Sequence, residues 1–195
     1  TWERCLPAFR RLERDLDFPD GDLHGHDGPI PIRRHRPEEL VPWQAGFLEA
    51  CDRVGYPRSD DHNDPSKSGA GPHAMNKIDG ERMSAARCYL TAAVRGRDNL
   101  RIRAETTVRR VLLENRQVIG LEVETRGRVA ILNTRRVILS AGAIATPGIL
   151  LRSGIGPRAD LARIGVECVV DLPAMGARLL DHPGAAILLI PRRGV

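Results

Sequence analysis

Near the start of the chain, apolar residues recur at spacings of three and four: Trp2, Leu6, Phe9, Leu12 and Leu16. That period is the stripe of an amphipathic helix, and it predicts one ending near Asp17. Between Pro19 and Pro37 the pattern dissolves into Gly21, Gly25, Gly28, Pro29 and Pro31, a punctuation that predicts an extended surface loop. Pro42 suits the first turn of a second helix, with Phe47, Cys51 and Val54 on one side and Gly55 placed to stop it. Residues 57–80 return to Asp, Asn, Gly and Pro loop chemistry. Ser84 then reads as the N-cap of a short helix carrying Ala85, Ala86, Tyr89, Leu90 and Ala93 and ending near Val94.

From Leu100 and Ile102 the period shortens to two, and the alternation is clean at Ile119, Leu121 and Val123, with Glu122 and Glu124 facing the other way. Breaks at 114–116 and 125–127 divide this stretch into an antiparallel meander, with strands expected over 107–113, 118–124 and 129–132. The continuous run Val137-Ile138-Leu139 predicts a buried strand of the parallel type over 136–140, leading straight into Gly142. Thr146 as cap and Pro147 as first residue predict a helix over 147–152 that Ser153-Gly154 ends. A short helix over 159–164 stopped by Gly165, a strand over 166–170 and a last strand over 185–190 complete the reading. The sum is a mixed α/β fold with a meander inserted between elements of a parallel layer.

Composition narrows the function classes. With 195 residues and 42% hydrophobic content, the chain can bury one sizeable core. It has no apolar run of roughly 18 residues and no secretory segment after Thr1, so a soluble, cytoplasmic protein with no membrane partner is expected. Cys5, Cys51, Cys88 and Cys168 are far apart without a CxxC pair; four reduced, mostly buried thiols are expected, with no structural zinc. The net charge of +5 comes almost wholly from arginine, in scattered pairs such as Arg109-Arg110 and Arg135-Arg136 interleaved with acids. With only 4% aromatic residues there is neither a dense basic patch nor a stacking platform, which argues against nucleic acid.

The segment from Ser140 to Gly156 holds the densest candidate chemistry. A buried strand ending in small residues and turning into a helix lets backbone approach a ligand closely, and the helix start offers unpaired N–H groups at a positive dipole end. Tight strand-to-helix packing would require the same small residues, and the residues alone leave both readings open.

The same segment, with its Gly142-Ala143 start, Thr146-Pro147 pair, Leu150-Leu151 and closing Ser153-Gly154-Ile155-Gly156, resembles the second signature of the glucose-methanol-choline oxidoreductases. The similarity extends through Leu6-Pro7, His24-Gly25, Gly28-Pro29-Ile30, His62-Asn63-Asp64-Pro65, Gly71-Pro72, Gly80 to Leu90, Asn99-Leu100, Val108, Gly156-Pro157 and Leu180-Asp181-His182-Pro183. Cys88, where Ala is frequent, and Met175-Gly176-Ala177-Arg178 depart from the pattern. The resemblance implies part of an FAD-binding Rossmann-like domain with its meander, plus part of a substrate domain: residues 1–60 on the substrate side, 61–172 in the FAD-binding part, and 173–195 returning to the substrate side. It implies an internal section of an enzyme that oxidises a small-molecule alcohol with FAD as cofactor. Thr107 and Val108 would meet the adenine edge through their backbone, and Ala141, Gly142, Ala143 and Ile144 would pass the adenosine and diphosphate half.

The family's Gly-x-Gly-x-x-Gly element does not occur in this sequence, and its catalytic His lies farther toward the C-terminus than any residue here. This chain alone is therefore expected to be inactive, with exposed sheet edges that favour self-association. The alternative from another class is a non-catalytic remnant or binding module that keeps the fold without flavin. Among the histidines, His24-Gly25-His26-Asp27 has the look of a metal cluster, but a Gly/Pro loop without a third His is a weak site, and no metal is expected. His62 and His73 read as loop residues making local hydrogen bonds. His182, next to Asp181, is the best-placed acid–base group on chemistry alone, though a structural role is expected for it.

Overall fold

The computed structural model describes residues 1–184, which form two compact units, the first Thr1–Ile102 and the second beginning at Arg103. The strand expected over 185–190 lies outside the described residues. No helix among the described residues is long and apolar enough to cross a membrane.

In the first unit, helix α1 (Trp2–Leu12) stops one turn before its apolar stripe does. The chain straightens at Glu13 because β1 (Glu13–Asp15) pairs in parallel with β2 (Ile30–Ile32), and the Asp15 carboxylate then accepts the backbone N–H groups of Asp17 and Phe18. Asp15 N–H donates to Gly25 O and Gly28 N–H donates to Glu13 O, so the glycine-rich segment wraps the strand pair. It is only partly the surface loop expected from its punctuation: His24, Gly25, Pro31 and Arg34 are buried. A Cβ on Gly25 would stand 1.9 Å from Arg10 O and 2.4 Å from Glu13 O, so glycine is there for close approach.

Helix α2 (Pro42–Arg53) matches its expectation, with Pro at its start and Gly55 beyond its end at φ +82°. A two-residue hairpin, β3 (Lys77–Ile78) with β4 (Glu81–Arg82), interrupts the loop region. Ser84 caps α3 (Ala85–Tyr89), its Oγ accepting from Arg87 N–H at 3.3 Å. The single helix expected there is two, because Thr91 opens a second cap for α4 (Ala92–Arg95). Of the four thiols only Cys88 is buried, a correction to the expectation; Cys5 is exposed, and Cys51 and Cys168 are half-buried.

The second unit begins with the meander: β5 (Thr106–Glu114), β6 (Gln117–Thr125) and β7 (Arg128–Asn133), in the order β5-β6-β7 and antiparallel throughout. Two-residue turns join them, Asn115-Arg116 at φ +49° and +62° and Arg126-Gly127 at φ +50° and +77°. Positive φ at both central residues matches the right-handed twist of the flanking strands. The alternation from Leu100 does not make strand before Thr106.

The strand expected over 136–140 is absent among the described residues. A buried parallel run needs strands on both flanks, whereas here nothing pairs with it and Ile138 is 90% exposed. Helix α5 (Gly142–Arg152) starts five residues before Pro147, which is inside it. Two-residue strands β8 (Ile155–Gly156) and β9 (Val170–Asp171) pair in parallel around α6 (Arg158–Arg163), so the strand expected over 166–170 shrinks to its end. The core of this unit is Val111, Val123, Ile149 and Leu161, where the meander, α5 and α6 contribute their apolar faces.

Candidate functional site

The C-terminal end of α5 is anchored on β5 by polar contacts. Ser153 Oγ accepts Val111 N–H at 2.8 Å and donates to Ile149 O at 2.6 Å; Arg152 Nε donates to Arg109 O at 2.6 Å. β5 is an edge strand whose other neighbour is β6, so these side chains use backbone groups that no strand takes. The same strand carries Thr107, exposed, and Val108, half-buried opposite Val123. Helix α5 is thus fastened to its strand at its C-terminal end, with the Gly142 turn at the other end of the helix.

At that far end Gly142 takes φ +85°, in the left-handed region that favours glycine, and a Cβ there would meet nothing within 4 Å. Packing therefore does not require this glycine; the direction of the chain does. Ala141, Gly142, Ala143 and Ile144 are all exposed, Ile144 to 81%. Thr146 does not cap from outside the helix. Its Oγ1, from within the second turn, accepts the backbone N–H of Ala141 at 3.0 Å and ties down the residue before the helix. Pro147 has no N–H to offer the carbonyl of Ala143 four residues back. The N–H groups of the first turn itself have no intrahelical acceptor and stand at the positive end of the helix dipole.

The sequence-singled histidines separate. His26 is exposed, and His182 is fully exposed with only Asp181 beside it. His62 Nε2 lies 3.1 Å from Gly71 O, with its ring 5.4 Å from that of His73. His24 instead sits buried in a group of charges that sequence reasoning missed. Its Nδ1 lies 3.1 Å from Glu13 Oε1 and 3.2 Å from Asp15 Oδ2, and its Nε2 lies 2.9 Å from Asp61 Oδ2. Arg34 completes the group, bonding both Asp15 oxygens at 3.0 and 2.8 Å and Asp61 Oδ1 at 2.8 Å. The Asp-x-Asp pair at 15 and 17 with the glycines at 25 and 28 was the available signal; Asp61 and Arg34 left none.

A mixed α/β chain with a meander and a backbone-presenting helix start is the class that the geometry defines. The GMC oxidoreductase family model matches residues 1–184, and the chain belongs to that family. It is 38% identical over 183 residues to an oxygen-dependent choline dehydrogenase of Photobacterium profundum, covering 93% of this chain and 32% of that protein. To a 5-(hydroxymethyl)furfural oxidase of Methylovorus sp. it is 39% identical, covering 96% and 35%. Among solved structures, pyridoxine 4-oxidase from Mesorbium loti superposes with a TM-score of 0.80 at 41% identity, covering 89% of this chain and 34% of that one. An FAD-dependent oxidoreductase from Chaetomium thermophilum gives 0.74 at 28% identity, covering 88% and 32%. The chain spans about a third of the length of these relatives.

Proposed function

We propose that this chain is a section of an FAD-dependent oxidoreductase acting on the CH–OH group of a small alcohol, and that it contributes adenosine-side contacts to the cofactor. The observation that carries the reading is the Gly142 turn: left-handed, exposed and open on the side where a side chain would stand. No atom of this chain stands in that space, which leaves room for a nucleotide to approach the backbone. The names of the relatives, among them an FAD-dependent oxidoreductase and oxidases of alcohols, supply the chemistry that suits it.

On this reading Ala141, Gly142, Ala143 and Ile144 pass the adenosine and diphosphate half, the N–H groups of Gly142, Ala143 and Ile144 donating to it while that of Ala141 is held by Thr146 Oγ1, and the positive helix end favours its negative charge. Thr107 and Val108 on β5 offer main-chain groups to the adenine edge. Thr146 and the Ser153 anchor position both elements. FAD, when bound, supplies the acceptor for a hydride from the alcohol carbon. No residue of this chain is assigned the proton transfer.

The test is Gly142→Val in the full-length protein. A β-branched residue in the left-handed region costs about 1–3 kcal/mol, and its side chain would occupy the open space. Flavin bound per folded protein, read by absorbance, should fall while the far-ultraviolet dichroism is retained. Equal flavin content in the variant and its parent sinks the proposal and makes the turn a packing device only; a parent that binds no flavin favours the non-catalytic module. For the 195-residue chain alone only weak FAD binding is expected. A few backbone bonds at about 0.5–1.5 kcal/mol each do little more than offset the roughly 4 kcal/mol or more of lost freedom on association. Saturable nanomolar binding in a flavin fluorescence titration would contradict this.

A further inference from the structure

The buried charges of the first unit have no part in the reading above, yet they are among its least exposed residues: Asp15 at 2%, His24 and Asp61 at 3%, Arg34 at 6%. Both nitrogens of the His24 ring face carboxylate oxygens, Nδ1 those of Glu13 and Asp15 on β1, Nε2 that of Asp61 in the loop after α2. An ionised carboxylate only accepts hydrogen bonds, and a neutral imidazole has a single N–H. A neutral His24 would therefore press a lone pair against a carboxylate in a site closed to water, at the cost of an unmet buried acceptor. The imidazolium satisfies both sides.

The charges agree. Glu13, Asp15 and Asp61 bring three negative charges, which Arg34 alone does not balance; Asp17 adds a fourth at the rim, accepting Arg34 N–H at 2.5 Å and lying 3.6 Å from Nη1. The aromatic face is closed by Phe18, stacked on His24 with ring centroids 5.3 Å apart and covered on its own part by the Arg34 guanidinium at 4.5 Å. Lys67, from the Asp61 loop, is held by Asp60 and lies 5.9 Å from the Phe18 ring, and His62 turns toward Gly71 O. Glu13, Asp15 and His24 have three ligand atoms within 4.8 Å of one another, a spacing that could suit a metal ion. Arg34, however, already occupies both oxygens of Asp15, so a divalent ion there would be set against a guanidinium.

We propose that His24 is a buried imidazolium that latches the Asp61 loop onto the β1–β2 pair, and that the latch opens when His24 loses its proton. Deprotonation removes one of the two donors between β1 and Asp61, leaving Arg34 as the remaining tie. Burial by itself pushes His24 down from its ordinary 6.5, but the bond to Asp61, the charge of Asp15, the bond to Glu13 and the charge of Asp61 together carry it upward. The direction fixes the pH window. A histidine raised on folding contributes its full stabilisation below about 6.5 and loses it as pH rises through the higher, folded value. Burial pushes Asp61 up, yet the His24 bond, the Asn63 N–H and Arg34 outweigh it and hold its carboxyl below 3.8. Its contribution is present above that value and is lost only as the medium becomes more acid still. The latch is therefore closed below about 6.5 and opens as pH rises through the raised value of His24.

The experiment is ring-nitrogen and ring-carbon NMR of the histidine-labelled chain across a pH series, with limited proteolysis of residues 62–70 measured against an unstructured reference peptide. At pH 6.5, its ordinary midpoint, His24 should hold protons on both ring nitrogens in most molecules. Cleavage of the loop should rise on the order of tenfold per pH unit between the ordinary and the raised titration of His24. Asp61→Asn should move the His24 titration downward, and His24→Gln should abolish the pH dependence of cleavage. The ring spectra of the unaltered chain decide the matter even if a variant does not fold. A largely neutral His24 at pH 6.5, or cleavage that ignores pH, would overturn the proposal.

Discussion

The two units bury opposite kinds of side chain. Among the described residues, the buried polar groups Asp15, His24, Arg34, Ser59 and Asp61 all belong to the first unit, and only Ser153 to the second. The buried apolar residues Val111, Val123, Ile149 and Leu161 belong to the second, against Cys88 and Pro31 in the first. The contrast concerns what each part must hold. A meander with period-two alternation has a ready apolar face against which a helix can close. The first unit joins short strands and glycine-rich loops, with α1 and α2 burying no residue, and it is fastened by charge and close backbone contact instead. Such fastening is directional: it fixes which loop meets which strand, and tolerates little substitution.

The contrast can be broken at graded cost. Gly25→Ala should have the largest effect, more than about 4 kcal/mol, because its Cβ would collide with the backbone of Arg10 and Glu13; urea melts of the chain would show the first unit lost. Next comes Asp61→Ala, expected to cost about 3–5 kcal/mol by leaving Arg34 and His24 as buried charges without their shared partner. Leu161→Ala, at a residue with no exposure, should cost about 2–5 kcal/mol and be nearly insensitive to pH, whereas the effect of Asp61→Ala should shrink as His24 deprotonates. Equal pH dependence of the two variants would erase the distinction between the units. Ser153→Ala should cost about 1–3 kcal/mol, since it strands the buried Val111 N–H. Thr107→Ala, at an exposed position, should stay within about 0.5 kcal/mol.

What the sequence made legible follows the same divide. The meander could be read from Ile119, Leu121 and Val123 with turn signals at Asn115 and Gly127, because alternation is local and the pairing it implies is between neighbours. The α5 boundary was misread because Pro147 carries the ordinary mark of a first turn, while the turn that begins the helix is made by Gly142. Residues 136–140 carry a buried-strand pattern that only neighbouring strands could realise. The ion cluster was illegible for a different reason. Asp15, His24, Arg34 and Asp61 follow no period, and charged residues in loops ordinarily face water. Of the candidate site, the Ala141 to Ile144 turn was legible from its small residues, and its openness was not.

The two-residue turns of the meander also bear on the order in which the chain assembles. Hairpins closed by two residues form within roughly 1–10 μs, and their contacts span few residues. The His24–Asp61 bond joins positions 37 residues apart, and contacts of such separation are reached only after the loop between them has been closed. The meander can thus close early, whereas the Asp61 bond and the Ser153 anchor on Val111, whose partners stand 42 residues apart, both wait for the chain between them.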